Sequence, residues 1–455
     1  MFDKQTTWKE RISYGLSDTA SNFVFAMIST YLIYFYTDVF GISAGAVGTL
    51  FLVTRCIDAF DGPFFGVLID RTQTRWGKAR PYFLWLAVPL SVVFILTFTT
   101  PDLSDTGKII YAYITYMALS ILYSAINVPV TAILPSLSSS PKERTVIVTV
   151  RMIFAAIGSA IISICVLPLV DLIGQGDKQK GFFWTVVILA IVAAALFLIA
   201  FKNVREKVKP VAAEGKISMK DLVIVMKNNK PWIILVIFAF LYFLVFTIKM
   251  QSTVYYLTYN FNRPDLAAGI LGVSTLSIVA TIFIPALTNF FSKKVTMIVG
   301  LVVFAVGQLV VWFSSLNDSV VLLFAGAIIG VLGLGLIQPI LFAMSADTVD
   351  YGEWKTGIRA QGFLSSAPAM GVKIGMGVGG ALSGWLLAAG GYVPNQPQTK
   401  SALMAIEWSY IWVPIIGIAI AIFVMLFYNL DKTSNQMTKE LESRKGETGG
   451  VNNEL

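Results

Sequence analysis

The chain has 455 residues, of which 56% are hydrophobic and only 13% charged, and its formal net charge is +8. Soluble domains average about 25% charged residues, and a water-soluble fold of this length could not hide so much apolar surface, whereas a lipid bilayer solvates it. The basic excess lies in short loops between apolar runs and forms no patch with interleaved aromatics, so nucleic acid is not an expected partner.

No histidine occurs, and the two cysteines, Cys56 and Cys165, sit inside apolar runs. Triad hydrolysis, a thiolate metal cluster and a disulfide scaffold are therefore not expected, and proton chemistry falls to carboxylates. We expect no enzyme activity, no cofactor and no metal, apart from a coupling cation such as sodium. The polar stretch Met1–Arg11 lacks an apolar core and a small-residue cleavage site, so no cleaved signal peptide is expected.

Apolar runs near or above the roughly 20 residues needed to span a bilayer follow one another along the chain. They predict helices over Leu16–Tyr36, Ala44–Ile69, Pro81–Phe98, Ile109–Leu134, Val146–Ile173 and Phe182–Phe201. The polar stretch Lys202–Lys230 interrupts the series. Six more follow over Pro231–Tyr259, Ala267–Phe290, Val295–Ser315, Val320–Ala346, Phe363–Ala389 and Met404–Tyr428. This predicts an all-α membrane protein: a six-helix bundle over 1–201, a cytoplasmic linker over 202–230, a second six-helix bundle over 231–430, and a disordered cytoplasmic tail over 431–455.

Loop charges alternate. Lys4, Lys9 and Arg11, then Arg71, Arg75, Lys78 and Arg80, then Lys142 and Arg144, crowd one side, and the linker carries eight basic residues. The intervening loops are nearly neutral, with Lys178 and Lys180 the main exception. The positive-inside rule places both termini in the cytoplasm and requires an even number of spans. We expect a multi-pass monomer in the inner (cytoplasmic) membrane, surrounded by membrane lipids.

Ionisable residues at membrane depth cost at least about 2.5 kcal/mol on insertion scales, so each is a candidate site. The second helix holds Arg55, Asp58 and Asp61, spaced three apart and able to pair on one face. The group reads either as self-neutralising packing or as a cation or proton site with one surplus negative charge. Asp18 and Asn22 stack one turn apart on the first helix, with Tyr14 a turn earlier, a set suited to sugar hydroxyls. Asp18 also reads as a helix cap. Asn127 precedes Pro129 in the fourth helix. Arg151 in the fifth lies deep or at the interface, and Lys373 sits among glycines in the eleventh. Lys249 and Glu407 read as interfacial anchors, and Tyr123 and Trp385 receive no role.

Three segments carry a family resemblance: Gly66–Arg71 with the following Arg75-Trp76-Gly77-Lys78-Ala79-Arg80-Pro81, Ala346–Lys355 with Arg359, and Ser13-Tyr14-Gly15 with Tyr36–Val39 and Val47–Val53. Together they resemble the glycoside–pentoside–hexuronide:cation symporters of the major facilitator superfamily. The likeness runs from the first helix to about the eleventh. It implies the major facilitator fold, two six-helix halves rocking about a central site, and symport of a sugar with a cation.

The resemblance also implies roles. Asp58 matches the helix-2 carboxylate that serves the coupling cation, with Arg55 as its charge partner. Arg151 and Lys373 match basic residues lining the sugar path. Four positions depart from the pattern. Gly62 replaces a second helix-2 carboxylate and has Asp61 beside it. Asn127 replaces a helix-4 carboxylate, Asn22 a helix-1 sugar-binding carboxylate, and Thr131 an aromatic sugar platform. With fewer carboxylates, a proton is favoured over sodium as the coupling cation. The expected cation site is Asp58, Asp61 and Asn127. The expected substrate site is Asp18, Asn22, Asn127, Thr131, Arg151 and Lys373. A cytoplasmic gate is expected from loops holding Asp70, Arg71, Arg75, Lys78, Asp347, Asp350, Glu353 and Arg359. The alternative is a major-facilitator exporter of lipids or drugs.

Overall fold

The computed structural model describes residues 6–138, 140–207, 219–358 and 361–431, together with Thr433, Gln436, Met437 and Glu440. Among the described residues the protein is helical throughout; the only β pairing is an isolated bridge between Thr74 and Gly77. Ten helices among the described residues are long and apolar enough to cross a membrane.

α1 (Trp8–Tyr34) and α2 (Ala44–Arg71) fall outside those ten, although their 27 and 28 residues are long enough to span. α1 is diluted by Asp18 and Asn22. α2 carries the charged triad Arg55, Asp58 and Asp61 across its middle. α1 begins at Trp8, well before the expected Leu16, because Thr7 and Glu10 form a reciprocal capping box that satisfies its first backbone donors.

α3 (Arg80–Thr97), α4 (Asp105–Ala132), α5 (Pro141–Gly174) and α6 (Lys178–Asn203) follow the expected spans closely. Beyond a short linker helix (Met219–Lys227) come α7 (Lys230–Tyr255) and α8. α8 is broken into Ala267–Val273, Ser277–Ile282 and Ile284–Phe290. At its first break Ser274 and Thr275 donate to the carbonyls of Leu271 and Gly272, while the second precedes Pro285, which has no N–H to donate.

α9 (Lys293–Leu316), α10 (Val320–Thr356), α11 (Gln361–Ala389) and α12 (Lys400–Leu426) complete the chain. One expectation is corrected here. The segment from Asp347 was expected to be a loop, but α10 stays helical to Thr356. It ends where Gly357 turns left-handed at φ +72° and its N–H caps the Glu353 carbonyl.

The chain packs as two units. The first comprises Met1–Ala212, Ile248–Thr275 and Gly380–Tyr410, and the second Ala213–Thr247, Leu276–Gly379 and Ile411–Leu455. In the first, α1 lies along α5 and α6, and α2 packs on α4. In the second, α9 packs on α10, and α11 slides against α7. A Cβ at Gly371, Gly375 or Gly379 would meet the carbonyls of Val236, Phe240 and Leu244 at 2.7, 2.4 and 2.7 Å. That row of glycines lets the two backbones touch. Beyond residue 431, Glu440 accepts a hydrogen bond from Trp354 at 2.6 Å; most of the expected tail lies outside the described residues.

Candidate functional site

Two charged clusters are buried in the first unit. On α2, Arg55 Nη1 donates to Asp58 Oδ2 at 3.0 Å. From α4, the Ser120 hydroxyl donates to Asp58 Oδ1 at 2.5 Å. Asp58 is only 2% exposed, so both its oxygens are engaged away from bulk water. Asp61 is buried one turn further along the same helix. Tyr116 on α4 interacts with both Arg55 and Asp58.

The second cluster joins α1 to α5. Arg151 Nε donates to Asp18 Oδ2 at 2.6 Å, and the guanidinium lies over the Tyr14 ring. Asp18 is ten residues past the start of α1, which Thr7 caps, so the capping alternative does not describe it. Arg151 is an ion-pair partner here, not an interfacial anchor. Asn22 donates to the Asp18 carbonyl at 2.9 Å and accepts from the Ser159 hydroxyl at 3.0 Å. Close approach makes this possible: Thr19 donates to the Phe154 carbonyl, and a Cβ at Gly158 would lie 2.9 Å from the Thr19 carbonyl.

Tyr123 on α4 lies between the clusters. Its ring stacks on Phe25, and its phenol is within electrostatic reach of Asp18, Arg55 and Arg151. Asn127, one turn on, interacts with that phenol. Ser120 and Tyr123 are functional candidates that the sequence reading left out. The signal was present: Tyr116, Ser120, Tyr123 and Asn127, spaced four, three and four, form a polar stripe on an apolar helix. Thr131 is exposed, and its hydroxyl donates to the Asn127 and Val128 carbonyls of its own helix.

Lys373 lies on α11 in the second unit, partly buried. Lys249 corrects an expectation. It is 8% exposed and sits 3.8 Å over the Tyr410 ring, which itself stacks on Tyr256, so it is a buried cation and not an interfacial anchor.

Of the expected gate residues, Arg71 is exposed and Arg75 lies over the Trp76 ring. The Lys78 N–H, with those of Ala79 and Arg80, donates to the Glu206 carboxylate at 2.8–3.0 Å. Glu206 thus caps α3 from the linker, and Arg80 donates to the Phe201 carbonyl at 2.6 Å. Glu206 was legible only as the lone acid in a basic run, Lys202–Lys209. Asp347 pairs with Lys293 at 2.6 Å, and Asp350 and Glu353 lie part-buried along the last turns of α10. The Asp70 side chain and the whole of Arg359 lie outside the described residues.

The same basic end carries a clasp. Glu143, at the start of α5, accepts from the backbone and hydroxyl of Thr6, from Arg11 at 3.2 Å and from Ser138 at 2.7 Å. Burial alone would raise its carboxyl. These hydrogen bonds outweigh that and hold it at about 2, against an ordinary 4.5. Lys207 pairs with Glu10 at 2.8 Å alongside.

At the opposite end of α1, the helix closes in a π-turn over Phe35–Val39. There Asp38 accepts from Tyr259 and Tyr392, each at 2.6 Å, and Asn395 donates to its carbonyl. Thr37 meets the Tyr255 hydroxyl at 2.6 Å. Asp38 is 7% exposed. Sequence reading gave it no role, because its partners lie more than 200 residues away.

The family described as MFS/sugar transport protein matches residues 13–432. The isoprimeverose transporter of Lactiplantibacillus pentosus is 44% identical over 98% of this chain and 93% of its own length. The putative glycoside/cation symporter YagG of Escherichia coli K12 is 36% identical, covering 93% and 92% of the two chains. The solved D-xylose-proton symporter superposes with a TM-score of 0.66 at 13% identity, over 94% of this chain and 99% of its own, a likeness of fold.

Proposed function

The chain belongs to the MFS/sugar transport protein family, as one of its glycoside–pentoside–hexuronide:cation symporters, and we propose that it imports a glycoside, pentoside or hexuronide together with a proton. Transport of sugars across a membrane through the major facilitator fold follows from that membership. The direction, the cation and the substrate are our reading. The single observation that carries it is the pair of buried carboxylates, Asp58 joined to Arg55 on its own helix and Asp18 joined to Arg151 on α5, with Tyr123 between them.

In this reading Asp58 takes the cation, with Arg55 as charge partner and Asp61 and Asn127 near the site. A hard sodium ion wants several oxygen ligands, and one Asp58 oxygen already faces a guanidinium, so a proton suits the donor set better. Asp18, Asn22, Asn127, Thr131, Arg151 and Lys373 hold sugar hydroxyls. Arg151 exchanges its carboxylate partner for sugar oxygens as the substrate enters.

The two halves, 1–201 and 231–430, rock about the bound sugar, and the basic end faces the cytoplasm with both termini. The loop after α2 and the last turns of α10 serve there as gate elements. The protein works as a monomer in the cytoplasmic membrane. Isoprimeverose is the first substrate to test, since it is named for a relative 44% identical.

The deciding experiment is a sugar screen in membrane vesicles with proton and sodium gradients imposed separately. Uphill uptake driven by the proton gradient is expected. Asp58→Asn is expected to abolish accumulation while leaving exchange; full uphill uptake by that variant overturns the assignment.

A further inference from the structure

The Ser120–Asp58 contact differs in kind from the Arg55–Asp58 contact. A guanidinium only donates hydrogen bonds, whatever the state of its partner. A serine hydroxyl both donates and accepts, and it turns about one bond. The two oxygens of Asp58 are divided between these two partners: Oδ2 faces Arg55 and Oδ1 faces Ser120. A proton added at Oδ2 would set its hydrogen against the Arg55 N–H. A proton added at Oδ1 meets an oxygen that can reverse its role.

We propose that Ser120 is a positioning residue of the coupling site, which selects Oδ1 of Asp58 as the atom that takes the proton. This rests on the reading that Asp58 carries the coupling cation. With the carboxylate charged, Ser120 donates to Oδ1. When a proton arrives and forms the O–H bond at Oδ1, the carboxylic acid donates to Ser120 Oγ. The serine hydrogen then turns to the carbonyl of Tyr116, one turn back on α4, the usual resting partner of a helical serine. Release reverses each movement. No heavy atom moves, and the Arg55 contact is kept throughout.

Charged and titratable groups near Asp58 include Arg55 from α2 and Tyr116 from α4, with the Tyr123 phenol beside Arg55, and Asp61 is buried one turn further along α2. Of the two side chains hydrogen-bonded to the Asp58 oxygens, Arg55 carries a charge and Ser120 does not. It is itself 6% exposed, so water does not replace its hydroxyl readily.

A hydrogen bond to a charged carboxylate is roughly twice as strong as one between neutral groups, so the serine favours the charged form on balance. Removing the hydroxyl therefore moves protonation of the site to higher pH. The test is difference infrared spectroscopy of the purified full chain. It follows the C=O stretch of the protonated carboxyl that is lost in Asp58→Asn, and it needs no sugar. In Ser120→Ala the midpoint of that band is expected to rise by about one pH unit. In Ser120→Thr, which keeps the hydroxyl, it is expected to return to the wild-type value. A midpoint unchanged in Ser120→Ala, or displaced equally in Ser120→Thr, overturns the proposal. If the wild-type band itself never develops, the failure lies in the reading of Asp58 as a proton carrier, and the role of Ser120 falls with it.

Discussion

Gly77 lies directly beneath the carboxylate of Glu206. Its φ is +112°, and a Cβ built on it would stand 2.4 Å from that carboxylate. Only glycine both adopts this backbone and leaves room for the acid that caps α3. Gly77→Ala is therefore expected to destabilise the loop by about 1–3 kcal/mol and to lower transport, read by thermal unfolding in detergent and by initial uptake rates. Glu206→Gln keeps an acceptor but loses the charge-assisted bonds, and its loss should be smaller than that of Glu206→Ala.

The Asp18–Arg151 pair predicts an asymmetry between single and double variants. Asp18→Asn or Arg151→Gln alone leaves one buried charge without its partner, at a cost of about 3–5 kcal/mol. The double variant removes both charges and should recover most of the melting temperature while remaining without sugar binding by calorimetry. Equal instability of all three would show that the pair matters through packing.

At the far end of α1, Tyr259 and Tyr392 each donate to Asp38. Hydrogen bonds to a charged group contribute about 1.5–3 kcal/mol each. Tyr259→Phe with Tyr392→Phe should loosen the π-turn at Phe35–Val39 and a second one at Tyr256–Asn260, raising amide exchange over 35–42 and 256–263 at least about tenfold. Exchange at the basic end should stay unchanged.

Glu143 predicts an acid-labile clasp. Its folded carboxyl sits near 2, below its ordinary 4.5. A depressed value means that stability is fully present above about 4.5 and is lost as pH falls toward 2. Detergent-solubilised protein should lose thermal stability across that window. Glu143→Gln should start less stable at neutral pH and show a flatter acid limb.

How much of this was readable in the sequence depends on how far apart the partners lie. Arg55 and Asp58 share a helix turn, and their pairing follows from spacing alone. The depth of Arg151 was open until Asp18, 133 residues away, was placed against it. Ser120 looked like an ordinary small residue because its one consequential neighbour is on another helix. The helical run through Asp347–Thr356 was missed for a different reason: its charges resemble a loop, yet it continues the long helix begun at Val320 until Gly357 supplies the stop. Lys249 was judged by its position along α7, and burial depends on what packs across from it.

α1 and α2 are the two helices left out of the set that is apolar enough to cross a membrane on composition alone. They are also the first to leave the ribosome. Each bears charge that a lone inserting helix holds in the bilayer at a cost of at least about 2.5 kcal/mol. For α1 the compensation arrives late: Arg151 comes 133 residues after Asp18. At synthesis rates of about 5–20 residues per second, α1 waits on the order of ten seconds for its arginine. An order of assembly follows, in which Asp18 on α1 stays without its arginine until α5 has been made.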